Sequence, residues 1–214
     1  MSERQIREIV PGEKRRVAIR FDSGETCTLY KSELGRLPAK ERELLLEEGA
    51  YIVEELYQKV LHGIITPRAR KRAMFLLEQM DRTEHQLCEK LRQNGYPEEC
   101  IGEAVDYVKR YHYIDDLRYA RSYVRCRQQK RSRQRLMTDL IQRGVAKPTI
   151  EQALLEEYEA DERGMIRELL GKRRFDPAEA DVREKRRTYQ FLLRRGYRSG
   201  DILAVMQTVA EDEF

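Results

Sequence analysis

The sequence predicts a mostly α-helical chain, with tandem three-helix repeats (three units) in an elongated curved array, preceded by a small N-terminal β-hairpin and helix region. Three observations carry that prediction. First, one phrase recurs about fifty residues apart, a fixed period that signals a repeat architecture. It reads Leu91-Arg92-Gln93-Asn94-Gly95-Tyr96, then Leu140-Ile141-Gln142-Arg143-Gly144-Val145, then Leu192-Leu193-Arg194-Arg195-Gly196-Tyr197. Second, the register holds downstream: Ile101, Ile150 and Ile202 coincide, as do Ala104, Ala153 and Val205, then Val105, Leu154 and Met206. Third, hydrophobic residues are 40% of the 214 and charged residues 37%, with no tryptophan. So thin a core suits small stacked units better than one globule.

The elements follow in order. Val17, Ile19 and Phe21 alternate onto one face, residues 26–30 alternate weakly, and Asp22-Ser23-Gly24-Glu25 reads as the turn of a hairpin. Ile6 and Ile9 fit a third strand. Two strands alone are marginal in water, so the hairpin must lean on something. A short segment at 31–37 and a charged helix over 39–48 come next. The spacing of Val53, Leu56, Tyr57 and Val60 predicts a helix over 50–61, ended by His62-Gly63.

Unit one occupies 65–112, after an N-terminal region of 1–64. Thr66-Pro67 reads as an N-cap followed by proline at the first helical position. That helix runs to 80, with Ala73, Met74, Leu77 and Met80 inward. Thr83-Glu84-His85-Gln86 fits a capping box, Gly95 closes the second helix, and Pro97 opens the third. Unit two, 113–159, repeats the plan: a helix over 115–128 with Leu117, Ala120 and Val124 inward, a Ser132 cap, a Gly144 stop, and a third helix after Pro148. Unit three, 160–214, opens with Met165, Ile166, Leu169 and Leu170 on one face. A longer link at 174–180 follows, and Thr188 stands where Leu87 and Leu136 stand in the other copies. Ser199 caps the last helix, which carries Ile202, Val205, Met206 and Val209; residues 211–214 read as frayed. Gly95, Gly144 and Gly196 are expected at positive φ, where a side chain is costly. No apolar face remains for a large interface, so a monomer is expected.

Several function classes are excluded at this level. There is no phosphate loop, H-E-x-x-H or G-x-S-x-G, and His62, His85 and His112 accompany no nucleophile, so no enzyme and no cofactor are expected. His85, Cys88 and Cys100 fall short of the four ligands of structural zinc, and Asp115-Asp116 reads as helix capping rather than a metal site. The start, Met1-Ser2-Glu3-Arg4, has no apolar run behind it, and no stretch approaches the ~20 apolar residues of a membrane span. A cytoplasmic protein is expected.

Charge supplies the functional candidates. Residues 109–143 hold eleven Lys/Arg against three Asp/Glu, and 172–198 hold ten against four. Arg125, Arg127, Lys130, Arg131, Arg133 and Arg135 cross from one helix to the next with acids almost absent, so pairing along the helix is not expected to absorb them. Arg143, Lys185, Arg186, Arg187, Arg194 and Arg195 extend the surface. Its partner is anionic: nucleic acid or an acidic protein face. Tyr111, Tyr113, Tyr119 and Tyr123 interleave there; packing between units and stacking on bases are both open to them. A helix-turn-helix reading of duplex DNA is disfavoured, because the third helices carry Glu98, Glu99, Glu103, Asp106, Glu151, Glu156 and Glu157, which repel phosphate.

The stretch Arg82-Thr83-Glu84-His85-Gln86-Leu87-Cys88-Glu89-Lys90-Leu91, leading to Gly95-Tyr96, resembles the first repeat of the RecX regulatory proteins. Tyr113-Ile114-Asp115-Asp116-Leu117-Arg118-Tyr119-Ala120 is similar to that family's most characteristic segment, and 132–145 and 192–197 resemble its second and third repeats. The likeness covers roughly 65–210. It implies a non-enzymatic modulator that binds RecA–single-stranded-DNA filaments and restrains recombinase and ATPase activity, with single- or double-stranded DNA as a further contact. The rival reading is a helical repeat protein that binds nucleic acid without RecA.

Overall fold

The computed structural model describes residues 3–13 and 15–208; the expectations for Val209 and 211–214 lie outside them. The chain divides into two compact units, Met1–Asp115 and Asp116–Phe214.

The first unit opens with a four-stranded sheet that contains the expected hairpin over 16–30 and the expected strand through Ile6 and Ile9. Strands β1 (Glu3–Gly12), β2 (Arg16–Phe21), β3 (Thr26–Tyr30) and β4 (Tyr51–Val53) lie in the order β3-β2-β1-β4. Neighbours are antiparallel. The alternation of Val17, Ile19 and Phe21 puts all three side chains inward, with Ile6, Cys27, Leu29 and Ile52. Helices α1 (Lys31–Leu34), α2 (Ala39–Leu45) and α3 (Glu54–Val60) surround the strands. The helix expected over 50–61 therefore begins only at Glu54. Tyr51-Ile52-Val53 follows β-branched propensity instead, because the open edge of β1 offers it backbone partners.

Gly63 does not end a helix, and Thr66 is not an N-cap. From α3 the chain runs through a π-helical turn, Leu61–Ile65, into α4 (Thr66–Gln79), and Thr66 is fully helical at φ −59°, ψ −47°. Pro67 has no N–H to give and its ring crowds the carbonyl four residues back; a wider turn just ahead of it relieves both. Arg68, one residue on, donates to Glu33 Oε2 at 2.6 Å and to the Thr28 carbonyl at 2.7 Å, tying α4 to the sheet. Ala69, Ala73 and Leu76 face the core, while Met80, expected inward, lies past the helix end and is exposed.

Helices α5 (Glu84–Gln93) and α6 (Glu98–Arg110) complete the first repeat. Thr83 Oγ1 accepts from the Gln86 N–H while the Gln86 side chain accepts from the Thr83 N–H, the expected capping box. One core joins this repeat to the sheet, which is what the strands lean on.

The second unit holds α7 (Asp116–Arg127), α8 (Arg133–Gln142) and α9 (Lys147–Glu157), then α10 (Glu162–Lys172), α11 (Val182–Arg194) and α12 (Ser199–Thr208). Each set of three has its own core. The aligned positions are equivalent in space: Ile101, Ile150 and Ile202 are buried, as are Leu87, Leu136 and Thr188. Gly95, Gly144 and Gly196 have φ of 79°, 80° and 84°. Ser199 is the first residue of α12 rather than its cap, and its hydroxyl lies 2.8 Å from that of Tyr189.

Candidate anion-binding cleft

The turn between α7 and α8 presents Lys130 and Arg131, and Ser132 starts the next helix. Its Oγ accepts from the Arg135 N–H at 3.2 Å, satisfying one orphan donor of the first turn. The same hydroxyl donates to the Arg195 carbonyl at 2.7 Å, at the C-terminal end of α11. The approach is close because Gly196 has no side chain: a Cβ there would stand 2.8 Å from Ser132 Oγ. Between the two helix ends lies a cleft of about 410 Å³, lined by Lys130, Arg131, Arg135, Arg194 and Arg195 with Ser132 and Tyr197.

Asp139 on α8 organises one wall. It is only 5% exposed, and a buried carboxylate must be paired. It accepts from the Tyr123 hydroxyl at 3.2 Å and forms ion pairs with Arg135, at 3.2 Å from Nε, and with Arg131. Burial first, then the neighbouring Asp139 charge, raises the phenol pKa of Tyr123, while Arg143 opposes the rise, so Tyr123 stays a donor. Of the five cations of the cleft, Arg131 and Arg135 are thus paired with this carboxylate.

The rest of the basic run is dispersed. Arg125, expected to lack a nearby acid, forms a two-pronged pair with Glu157 of α9 at 2.8 and 2.6 Å. This hydrogen bonding holds the Glu157 carboxyl below its usual range. The expectation failed because the partner acids come from another helix and from Asp139, not from the run itself. Arg127 and Arg143 lie over the Tyr123 ring at 4.2 and 4.8 Å. Arg133 lines a separate groove with Glu151 and Glu162. Lys185 and Arg186 line a groove between α11 and α12, and Arg187 another with Arg173 and Arg183. The structure therefore brings together Lys130, Arg131, Arg135, Arg194 and Arg195, and leaves the other seven outside the cleft.

Tyr123 is buried and serves packing, with Tyr119 stacked on it at 6.3 Å; Tyr111 and Tyr113 are exposed but belong to the first unit. Sequence reasoning missed Asp139 and Ser132 as organisers of the site. The spacing of Asp139, four residues after Arg135, was the available signal. Among the described residues, metal-ligand geometry occurs at His62, Glu99 and Glu103, not at His85, Cys88 and Cys100. His62 Nδ1 lies 2.5 Å from Glu103 Oε1, and Arg70 takes the other oxygen at 3.1 Å, so contacts among these side chains account for that group. Among the described residues no helix is long and apolar enough to cross a membrane.

Comparison with known proteins adds three family matches: the first, second and third three-helix domains of RecX match residues 69–107, 115–154 and 161–206. The regulatory protein RecX of Vibrio parahaemolyticus is 32% identical over 159 residues, spanning 73% of this chain and 100% of the relative. That of Caldanaerobacter subterraneus subsp. tengcongensis is 37% identical over 131 residues, 60% of this chain and 66% of the relative. A crystal structure of regulatory protein RecX superposes with a TM-score of 0.59 at 22% identity, covering 98% of this chain and 100% of that one, a likeness of fold.

Proposed function

The chain belongs to the RecX family, and from that premise we propose that it is a non-enzymatic regulator that binds RecA–single-stranded-DNA filaments in the cytoplasm, as a monomer, and restrains RecA recombinase and ATPase activity. The observation that carries the reading is the cleft: five cations, two of them held by the buried Asp139, between helix ends joined through Ser132. Phosphate and acidic protein side chains are the ligands such a surface attracts. Guanidiniums already held by Asp139 lose little rotamer freedom when they engage an anion, so more of the contact energy appears as affinity.

The test reverses Lys130, Arg194 and Arg195 to Glu together. All three are exposed, and none is a partner of Asp139. Inhibition of RecA's DNA-dependent ATP hydrolysis should weaken by about tenfold in effective concentration, about 1.4 kcal/mol. The same reversal at Lys40 and Arg42 should change little. Undiminished inhibition by the triple variant would show the cleft to be a solvated surface. Titration against DNA alone separates the second reading, which the absence of acids among the cleft's lining residues favours. Equal affinity for bare DNA and for filaments, falling steeply with salt, would mean a nucleic-acid binder that acts without RecA.

A further inference from the structure

The groove between α11 and α12 differs from the cleft in having several apolar side chains in its lining. Its volume is about 750 Å³; Pro177, Tyr189, Leu203 and Met206 line it together with Lys185, Arg186 and Gln207. Leu203 is 46% exposed on a helix whose neighbouring Ile202 and Val205 are buried in the core. The Tyr189 ring is held by its hydroxyl contact to Ser199. Lys185 and Arg186 have no carboxylate within ion-pair distance among the described residues. Apolar surface beside unneutralised cations asks for a ligand that is apolar and acidic at once.

We propose that this groove docks an acidic segment of a partner protein, with a leucine- or phenylalanine-sized side chain against this apolar lining and flanking carboxylates on Lys185 and Arg186. A phosphodiester backbone satisfies the cations but covers neither Leu203 nor Met206, so a protein segment fits better than nucleic acid. The volume falls in the range of sites that bury a few side chains. The inference goes beyond the RecA reading: it stands on the groove alone and names a second surface, whatever the cleft binds.

The probe is a fluorescein-labelled peptide of about ten residues, alternating glutamate with leucine and phenylalanine, titrated into the full chain by anisotropy. Three controls accompany it: the peptide with serine for its apolar residues, the peptide with glutamine for its acids, and oligo(dT). The acidic apolar peptide should bind at least about tenfold more tightly than either control peptide, and oligo(dT) binding should be unaffected by the groove variants below. Leu203→Ser and the pair Lys185→Glu, Arg186→Glu should each weaken peptide binding by about tenfold, with circular dichroism unchanged, while Lys130→Glu, Arg194→Glu should not. The proposal is overturned by no saturable peptide binding, by equal binding of the serine control, by an equal loss of oligo(dT) binding in the groove variants, or by indifference of the peptide to both groove variants. The chain's own Glu211-Asp212-Glu213-Phe214 has the same chemistry. If replacing its three acids by amides tightens peptide binding by about tenfold, that segment is the occupant and the partner proposal falls.

Discussion

Arg174, like His112 after α6, stands where Gly95, Gly144 and Gly196 stand at other helix ends. At the end of α10 it takes φ 51°, and the Phe175 N–H reaches back to the Leu170 carbonyl at 3.1 Å, as Tyr197 does to Leu192 after Gly196. A side chain in that conformation is crowded by its own backbone. Arg174→Gly should therefore stabilise the second unit by up to about 1 kcal/mol after the extra freedom of unfolded glycine is subtracted. A urea midpoint that falls would refute this. Gly196→Ala should do the opposite, costing more than about 1 kcal/mol, because the new Cβ meets Ser132 Oγ as well as adopting a strained φ. An unmoved midpoint would show that α8 and α11 yield easily. The glycine stops were legible from their repetition; Arg174 was not, since Arg173-Arg174-Phe175 does not carry the repeated phrase.

Among the elements, β4 shows most directly where local pattern runs out. Val53, Leu56, Tyr57 and Val60 share a helical face on paper, and Ile52 fits a strand equally well. The choice fell to β1, which supplies hydrogen-bond partners from Glu3 to Gln5, far away in sequence. Ile52→Ala should cost about 2–5 kcal/mol, as for other fully buried isoleucines, since Ile52 is completely buried. Tyr51→Ala, at 58% exposed, should stay within about 0.5 kcal/mol. Comparable losses at both positions in chemical denaturation would place Tyr51 in the core as well. The same limit governed the basic residues. The basic run was plain in the sequence, and so was the glycine that lets α11 approach. The acid for Arg125 was not, because Glu157 lies 32 residues away and only the packing of α9 beside α7 delivers it.

At the scale of the whole molecule, the three repeats are not equal partners. The first shares a continuous core with the sheet, whereas the second and third bury separate cores in the other compact unit. Two cooperative transitions are expected on heating. Ile52→Ala should lower one of them and Ile202→Ala the other, read by calorimetry; a single transition moved by both would mean one folding unit. Within the second unit, Ser132 gives its hydroxyl to the third repeat while its lone pair starts a helix in the second. Widening the gap between Lys130 and Arg195 would unfasten the first turn of α8, and fraying that turn would let the gap widen. Aperture and helix initiation are thus a single degree of freedom, and an anion gripped by both rims would act as a clasp on it.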